Sequence, residues 1–331
     1  MNIKLPLLVG LASLAALVGA HAQSAVTDPV GYITSNVAGS GISLIAPSLV
    51  EKTEFSGVPA SAPTGSTVTF GATAALPAFA ANQFYLEIAS TGWWSTITSN
   101  NATSVTTNDA IPAGAATERM IIRKHETLNS FLGANAIGLT PGVDPAAADV
   151  VQFWNPVTQS PSQQYFYAGA AQGVTPGFYT ENGDLTGTAV PDPIIEPGAG
   201  LLVTRRGATP TSLVSVGYVK TTKTQIDLYQ GTNIVSPMRA VGAALSDINL
   251  DTGNTATGVL RGADPASADT VQLTVGGTQY FAADPALATG WFDENGTPSN
   301  ATIIPEGRAV ILTRRVATPG VWTSKEQPIA Q

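Results

Sequence analysis

Three glycine-led aromatic pairs are the first residues in this chain that could do chemistry: Trp93-Trp94 in "GWW", Phe178-Tyr179 in "GFYT" and Trp291-Phe292 in "GWFDENG". Aromatic faces stack on the apolar faces of sugar rings, so these six residues could form a carbohydrate-binding surface. Neighbouring side chains on an extended strand point to opposite faces. One member of each pair is therefore expected in a core and the other outside or against a neighbouring unit. The pairs read first as architecture, and second as sugar platforms made by their outward members.

Charge offers a second candidate. Arg123-Lys124, Arg205-Arg206 and Arg314-Arg315 hold six of the 15 Lys and Arg residues. Gathered on one face they would make a basic patch suited to an acidic glycan, a lipopolysaccharide phosphate or an acidic subunit. The competing expectation is that they blunt strand ends and pair with local carboxylates such as Glu118, Glu196 or Glu306. A third candidate is "DINLDTGNT", where Asp247, Asn249 and Asp251 repeat the oxygen-ligand spacing that opens a calcium loop. Glycine falls one place late, however, and Gly258 stands where a bidentate Glu belongs. Capping of a short helix over 240–250 accounts for the same residues.

Other chemistry is excluded by composition. The chain has no cysteine, hence no disulfide, thiolate nucleophile or Cys-ligated metal centre. Of two histidines, His21 falls in an N-terminal leader, and His125, directly after Arg123-Lys124, is expected at a solvated strand end. One histidine leaves a single possible triad base and no multi-His metal site. No P-loop, dinucleotide fingerprint or nucleophile elbow is present. The acidic residues that recur, Asp144 and Asp264, Asp149 and Asp269, Glu181 and Glu294, fall at predicted caps, strand starts and turns. None is singled out as half of a glycosidase pair.

The elements that must position these residues are strands. "DPAAADVVQFW" from Asp144 matches "DPASADTVQL" from Asp264; "QYF" follows in both, then the Gly-aromatic pair, then "IIEPGAGLLVTRRGATP" from Ile194 against "IIPEGRAVILTRRVATP" from Ile303. Such self-similarity marks an internal duplication. A fainter version occupies the first part as "QFYLEI", "GWW" and "RMIIRK", and "DPVGYITSN" at 28 resembles "VSVGYVKTT" at 214. Asp-Pro followed by alanines predicts one helical turn. The β-branched and aromatic runs predict strands, and "ENG" predicts tight turns. With no long 3.6-residue period between them, the expected fold is all-β: three antiparallel meander units, sandwich- or barrel-like, over 23–133, 134–212 and 213–331.

The N-terminal "MNIKLPLLVGLASLAALVGAHAQ" has a basic n-region, an apolar stretch and Ala-His-Ala, so residues 1–22 read as a secretory signal peptide with no transmembrane segment after its cleavage. Net charge is −8, charged residues are 11% and hydrophobic residues 44%. Such a chain folds, and its surface is a poor partner for nucleic acid or anionic membrane. Taken together, "DPVGYITSNV", the "QYF" and "GWF" strands and the "IIPEGRAVILTRR" ending resemble a family of exported proteins of unknown function from Verrucomicrobia and related bacteria. The resemblance implies a Gram-negative envelope setting: periplasm, outer surface or secretion. It supplies no catalytic or binding residues.

The sequence thus points to an exported, non-enzymatic structural or interaction module of the cell envelope, with a glycan or an envelope protein as partner. A carbohydrate-binding protein is the alternative, and a glycan-active hydrolase a second one. A disulfide-free export product must be held by packing alone. Its melting temperature should therefore be the same with and without dithiothreitol, measured by circular dichroism.

Overall fold

A computed structural model describes residues 29–133, 138–181 and 192–327. The expected signal peptide lies outside them, as does the Asn-Gly of the first "ENG" turn. Strands β1 (Val30–Val37) and β2 (Gly41–Ile45) come first, followed by β3 (Thr53–Gly57), β4 (Thr67–Thr69), β5 (Phe84–Ile88), β6 (Trp94–Asn100), β7 (Ser104–Thr107) and β8 (Met120–Lys124). The middle of the chain gives β9 (Glu126–Thr127), helix α1 (Leu128–Leu132), β10 (Val150–Asn155), β11 (Ser160–Ala168), β12 (Gly177–Thr180), β13 (Ile194–Ile195), β14 (Leu201–Arg205) and β15 (Thr211–Tyr218). The last part gives β16 (Thr224–Leu228), β17 (Gly231–Val235), β18 (Ala243–Ala244), β19 (Thr270–Gln272), β20 (Gln279–Ala282), β21 (Trp291–Asp293), β22 (Ile303–Ile304), β23 (Val310–Arg314) and β24 (Gly320–Ser324). The fold is all-β, and all pairings between these strands are antiparallel. The sheets are open, with no closed barrel among the described residues.

The strands do not divide as expected. Residues 23–133 form no single unit, because β1 pairs with β15 and β2 with β14. The segment 53–124 builds its own six-stranded sheet, ordered β3-β8-β5-β6-β7-β4, and is inserted between β2 and β9. Its first and last strands are neighbours, Thr53 lying opposite Arg123. Around it, two five-stranded sheets share one order: β12-β11-β10-β14-β2 and β21-β20-β19-β23-β17. Each has a two-stranded arm, β1-β15 or β16-β24, and a short ladder, β9-β13 or β18-β22. The related stretches at 28 and 214 thus lie side by side, Gly31 opposite Gly217.

Local chemistry explains the matching orders. Asp144 Oδ1 accepts from the amides of Ala146 (2.9 Å) and Ala147 (2.8 Å), and Asp264 Oδ1 from that of Ser267 (2.8 Å), capping one turn in each copy. Five residues on, a buried aspartate joins three segments. The Thr140 amide donates to Asp149 Oδ2 (2.8 Å), the Arg206 amide to Oδ1 (2.7 Å), and Arg205 Nη1 lies 3.7 Å from Oδ2. In the last sheet Leu260, Arg315 and Arg314 do the same for Asp269 at 2.8, 2.6 and 3.8 Å. The arginines also satisfy loop carbonyls: Arg205 donates to Gly138 O, and Arg314 to Gly258 O and Thr255 O.

Two local expectations fail. Residues 240–250 are not helical: Ala243 and Ala244 join β18, Asn249 has φ 59°, and Leu245, Ile248 and Leu250 all turn into the core. Burial of three apolar residues along an irregular path overrides helix propensity there. Helix α1 was in turn not anticipated; Thr127 caps it by accepting from the Ser130 amide (3.1 Å), while Ser130 Oγ accepts from the Thr127 amide (2.8 Å).

Each sheet covers its own core. Leu86, Ile97 and Ile122 pack with Phe70 in the insert; Val151, Phe178, Leu201 and Phe131 in the middle; Val271, Trp291, Leu312 and Trp322 in the last part. A fourth cluster, Leu44, Ala46, Ile234 and Ala309, forms the seam between the two five-stranded sheets. Backbone bonds cross it reciprocally: the Ser236 amide donates to Gly198 O (2.9 Å) and the Ala46 amide to Gly307 O (3.0 Å). Gly198 and Gly307 have φ 82° and 69°, and a Cβ on Gly200 would lie 2.4 Å from that of Ala309. Only glycine permits this approach.

Replacing Asp269 by Ala would leave Arg314 without its carboxylate and the amides of Leu260 and Arg315 without an acceptor. The expected loss is about 3–5 kcal/mol, against about 1 kcal/mol for Asp264→Ala, which removes only an exposed cap. Urea denaturation of the two variants measures the difference.

Candidate functional site

The residues singled out in the sequence are mostly committed to the fold. Phe178 and Tyr179 are both buried, on opposite faces of β12, and the Tyr179 hydroxyl donates to Thr175 O (2.7 Å). Trp291 is buried in the last core, and Phe292 lies on its other side against Phe281 (centroids 6.4 Å). Trp93 packs on the core of the insert. Trp94 alone of the six lines a cavity. The dibasic ends form no joint patch: Arg123, Arg205 and Arg314 are buried, and their carboxylate partners are Glu87, Asp149 and Asp269, not Glu118, Glu196 or Glu306. Exposed Arg206 and Arg315 turn back to donate to Pro145 O (2.8 Å) and Pro265 O (2.5 Å).

The three residues of the calcium spacing are engaged separately rather than around one point. Asn249 uses its amide nitrogen to donate to Thr323 O (3.0 Å), Asp251 is held by Arg261 Nε (2.6 Å), and Asp247 is exposed. No group of three or more His, Cys, Asp or Glu residues suited to a metal ion occurs among the described residues.

The site lies instead where the insert meets both five-stranded sheets. A cleft of about 680 Å³ opens there. The insert contributes Asn82, Trp94, Thr96 and Asn108; the middle sheet Phe153, Trp154, Asn155 and the loop 196–200; the last part Asp227, Tyr229, Asn233 and Ile234. Two indoles frame it by the same device. Trp94 Nε1 donates to Gln225 O (3.0 Å) in the arm strand β16, and Trp154 Nε1 to Thr232 O (2.8 Å) in β17, so each ring is fastened to the last part of the chain from a different body. Phe153 is held edge-on by Tyr165 (5.6 Å, 76°). Close backbone contact brings the walls together: Gln225 donates to Gly92 O (2.8 Å), and a Cβ on Gly92 would lie 2.7 Å from Lys223 backbone.

The ionisable groups of the lining are Glu196, Asp227 and Tyr229; among the described residues no Lys, Arg or His lines the cleft. Loss of water around Glu196, then the charges of Asp227 and Asp109, push its carboxyl above the usual range. Partial burial, then Asp109, push Asp227 the same way. Tyr229 is raised by burial and by all three carboxylates. The carboxylates of the cleft therefore favour a cationic group, and no cation of the described lining supplies one.

Beneath Trp94 the insert is fastened by buried polar groups. Glu87 Oε2 lies 2.8 Å from Lys220 Nζ, and Oε1 accepts from the Thr222 hydroxyl (2.7 Å), with Arg123 Nε at 3.8 Å. Burial alone would raise the Glu87 carboxyl; Lys220 and Arg123 outweigh it and hold the group below its ordinary range. His125 is not at a solvated strand end. It is 1% exposed, between Tyr85 (5.0 Å) and Trp94 (6.2 Å), with Nε2 3.1 Å from Thr96 Oγ1. Aromatic packing explains the inward turn, and desolvation lowers its pKa to about 4.

No protein-family model, curated protein or solved structure matches the chain. The cleft must be read from its own chemistry. Its residues were missed in sequence because they come from three separated segments. One signal was available: the matched copies differ where the cleft forms, Phe153-Trp154 against Leu273-Thr274 and Ala199 against Arg308.

Two adjacent groups give opposing pH effects. His125, lowered to about 4 from 6.5, supports folding above pH 6.5 and withdraws that support as pH falls toward 4. Glu126, raised by burial to about 7 from 4.5, does the reverse: its contribution is complete below 4.5 and lost as pH rises through 7. Urea midpoints between pH 7.5 and 4.5 should vary little in the wild type on this account. His125→Gln should gain stability relative to wild type on acidification, by about 3 kcal/mol at most, and Glu126→Gln should lose it.

Proposed function

We propose that the protein is an exported binding protein of the cell envelope, and that the cleft between its three bodies is a carbohydrate site. The observation that carries this reading is the composition of the wall. Half-buried rings of Trp94, Phe153, Trp154 and Tyr229 share the wall with the side-chain amides of Asn82, Asn108 and Asn155 around about 680 Å³. Rings cover the apolar face of a sugar, and amides both donate to and accept from its hydroxyls. A cleft of this volume suits a few sugar units. The indoles are already fixed by backbone bonds, so little side-chain freedom remains to be lost on binding. Export is proposed from residues 1–22 and agrees with a cysteine-free chain whose stability depends on packing.

The reading as a structural module has its own support in the reciprocal seam and the buried Glu87-Lys220 fastening, which tie all three bodies together. Binding and scaffolding are compatible uses of one rigid body.

Tyr229→Ala tests the reading, since the Tyr229 backbone bond to Asn233 Oδ1 (2.8 Å) survives the change. On a panel of neutral and charged oligosaccharides, calorimetry should detect a ligand of the wild type whose Kd rises about tenfold or more in the variant, at unchanged melting temperature. A wild-type protein that binds no member of the panel overturns the carbohydrate assignment.

A further inference from the structure

The two five-stranded sheets share one strand order, and the edge of the cleft at Gly198 has a positional counterpart at Gly307 on the other side of the seam. Gly198 sits over Ile226, as Gly307 sits over Ile33 and Ser35. The residue after each glycine differs: Ala199 lines the cleft, whereas Arg308 stands at the corresponding position. Arg308 reaches across the seam, and its Nη1 donates to Asn36 O (2.6 Å). In register, Asn36 corresponds to Asp227: each follows the residue packed on its glycine, Ser35 in one case and Ile226 in the other. On one side of the seam, then, the chain supplies its own guanidinium. On the other, Ala199 leaves that place open, next to the side chains of Asp227 and Glu196.

Resting on the carbohydrate reading above, we propose that the ligand is an amino sugar, whose ammonium group takes, between Glu196 and Asp227, the place that Arg308 fills on the opposite side. Three observations converge on this. The cleft has carboxylates and, among the described residues, no lining cation. The position matching Ala199 carries a cation, Arg308, bonded to the Asn36 carbonyl. Its aromatic walls match a sugar ring rather than a bare metal ion or a flexible amine. An uncharged sugar would leave the carboxylates with like-charged neighbours and no partner. An acidic one would add to the repulsion.

The test compares the tetramer of glucosamine with the tetramer of N-acetylglucosamine on the full chain, by calorimetry at pH 7 and at two salt concentrations. The amine-bearing tetramer should bind at least tenfold more tightly, and that advantage should shrink as salt rises. Glu196→Gln with Asp227→Asn should remove the advantage. Ala199→Arg should place a guanidinium in the cleft and block it; circular dichroism checks that both variants fold, and either one suffices.

Equal binding of the two tetramers, abolished by Tyr229→Ala, overturns the amino-sugar assignment and leaves the carbohydrate reading in place. Tighter binding of tetralysine than of the glucosamine tetramer, lost in the carboxylate variant, keeps the cationic site and removes the sugar. An amine preference that survives both the carboxylate and Ala199 variants places binding elsewhere and overturns the proposal, as does no binding of either tetramer.

Discussion

Close approach of backbone across one seam governs this molecule. Two sheets of identical strand order meet where Gly198, Gly200 and Gly307 leave no room for a side chain, and amide-carbonyl bonds run across in both directions. Hydrogen bonds of that kind fix distance and angle together, which apolar contact alone does not. The insert is then brought against both sheets through Gly92, Trp94 and the buried Glu87-Lys220 pair. A cleft with walls from three bodies holds its shape only because each wall is fastened to the others by backbone or buried charge. Individual side chains can then differ without loosening the frame, as Ala199 and Arg308 do at matching places.

The legible part of the fold was its strand chemistry. β-branched runs, Asp-Pro turns and matched motifs gave the all-β class, and the recurring Asp149 and Asp269 were placed at strand starts, where they are buried and bonded. Connectivity was less accessible. The worn first motif, "QFYLEI" to "RMIIRK", belongs to a sheet of different order, and the short stretch before it joins the middle sheet across more than a hundred residues. Pairing over such a separation leaves no periodic trace in sequence, because the partner strand sets no spacing within its own segment.

The site was harder still. The aromatic pairs drew attention through their repetition, yet residues that recur in every copy are the ones the architecture needs; Phe178, Tyr179 and Trp291 are buried for that reason. The cleft is built where the copies disagree, from Phe153, Trp154, Ala199 and Asp227. Most of the recurring aromatic residues report on packing, Trp94 being the one that also lines the cleft. The dibasic ends make the same point with charge: Arg205 and Arg314 are interior bonding groups, and their exposed neighbours serve nearby carbonyls.

The insertion of 53–124 has a consequence for the order of folding. β2 and β9 belong to the same body but are separated by the whole six-stranded segment. Closing an unstructured loop of that length has a sizeable entropic cost, which slows assembly of the flanking sheet. Thr53 and Arg123, however, are partners on adjacent strands, so the folded insert holds its own entrance and exit together. Once it has formed, the flanking chain has only a short gap to close. The segment that interrupts the middle sheet in sequence thus acts as a clamp that lets that sheet form.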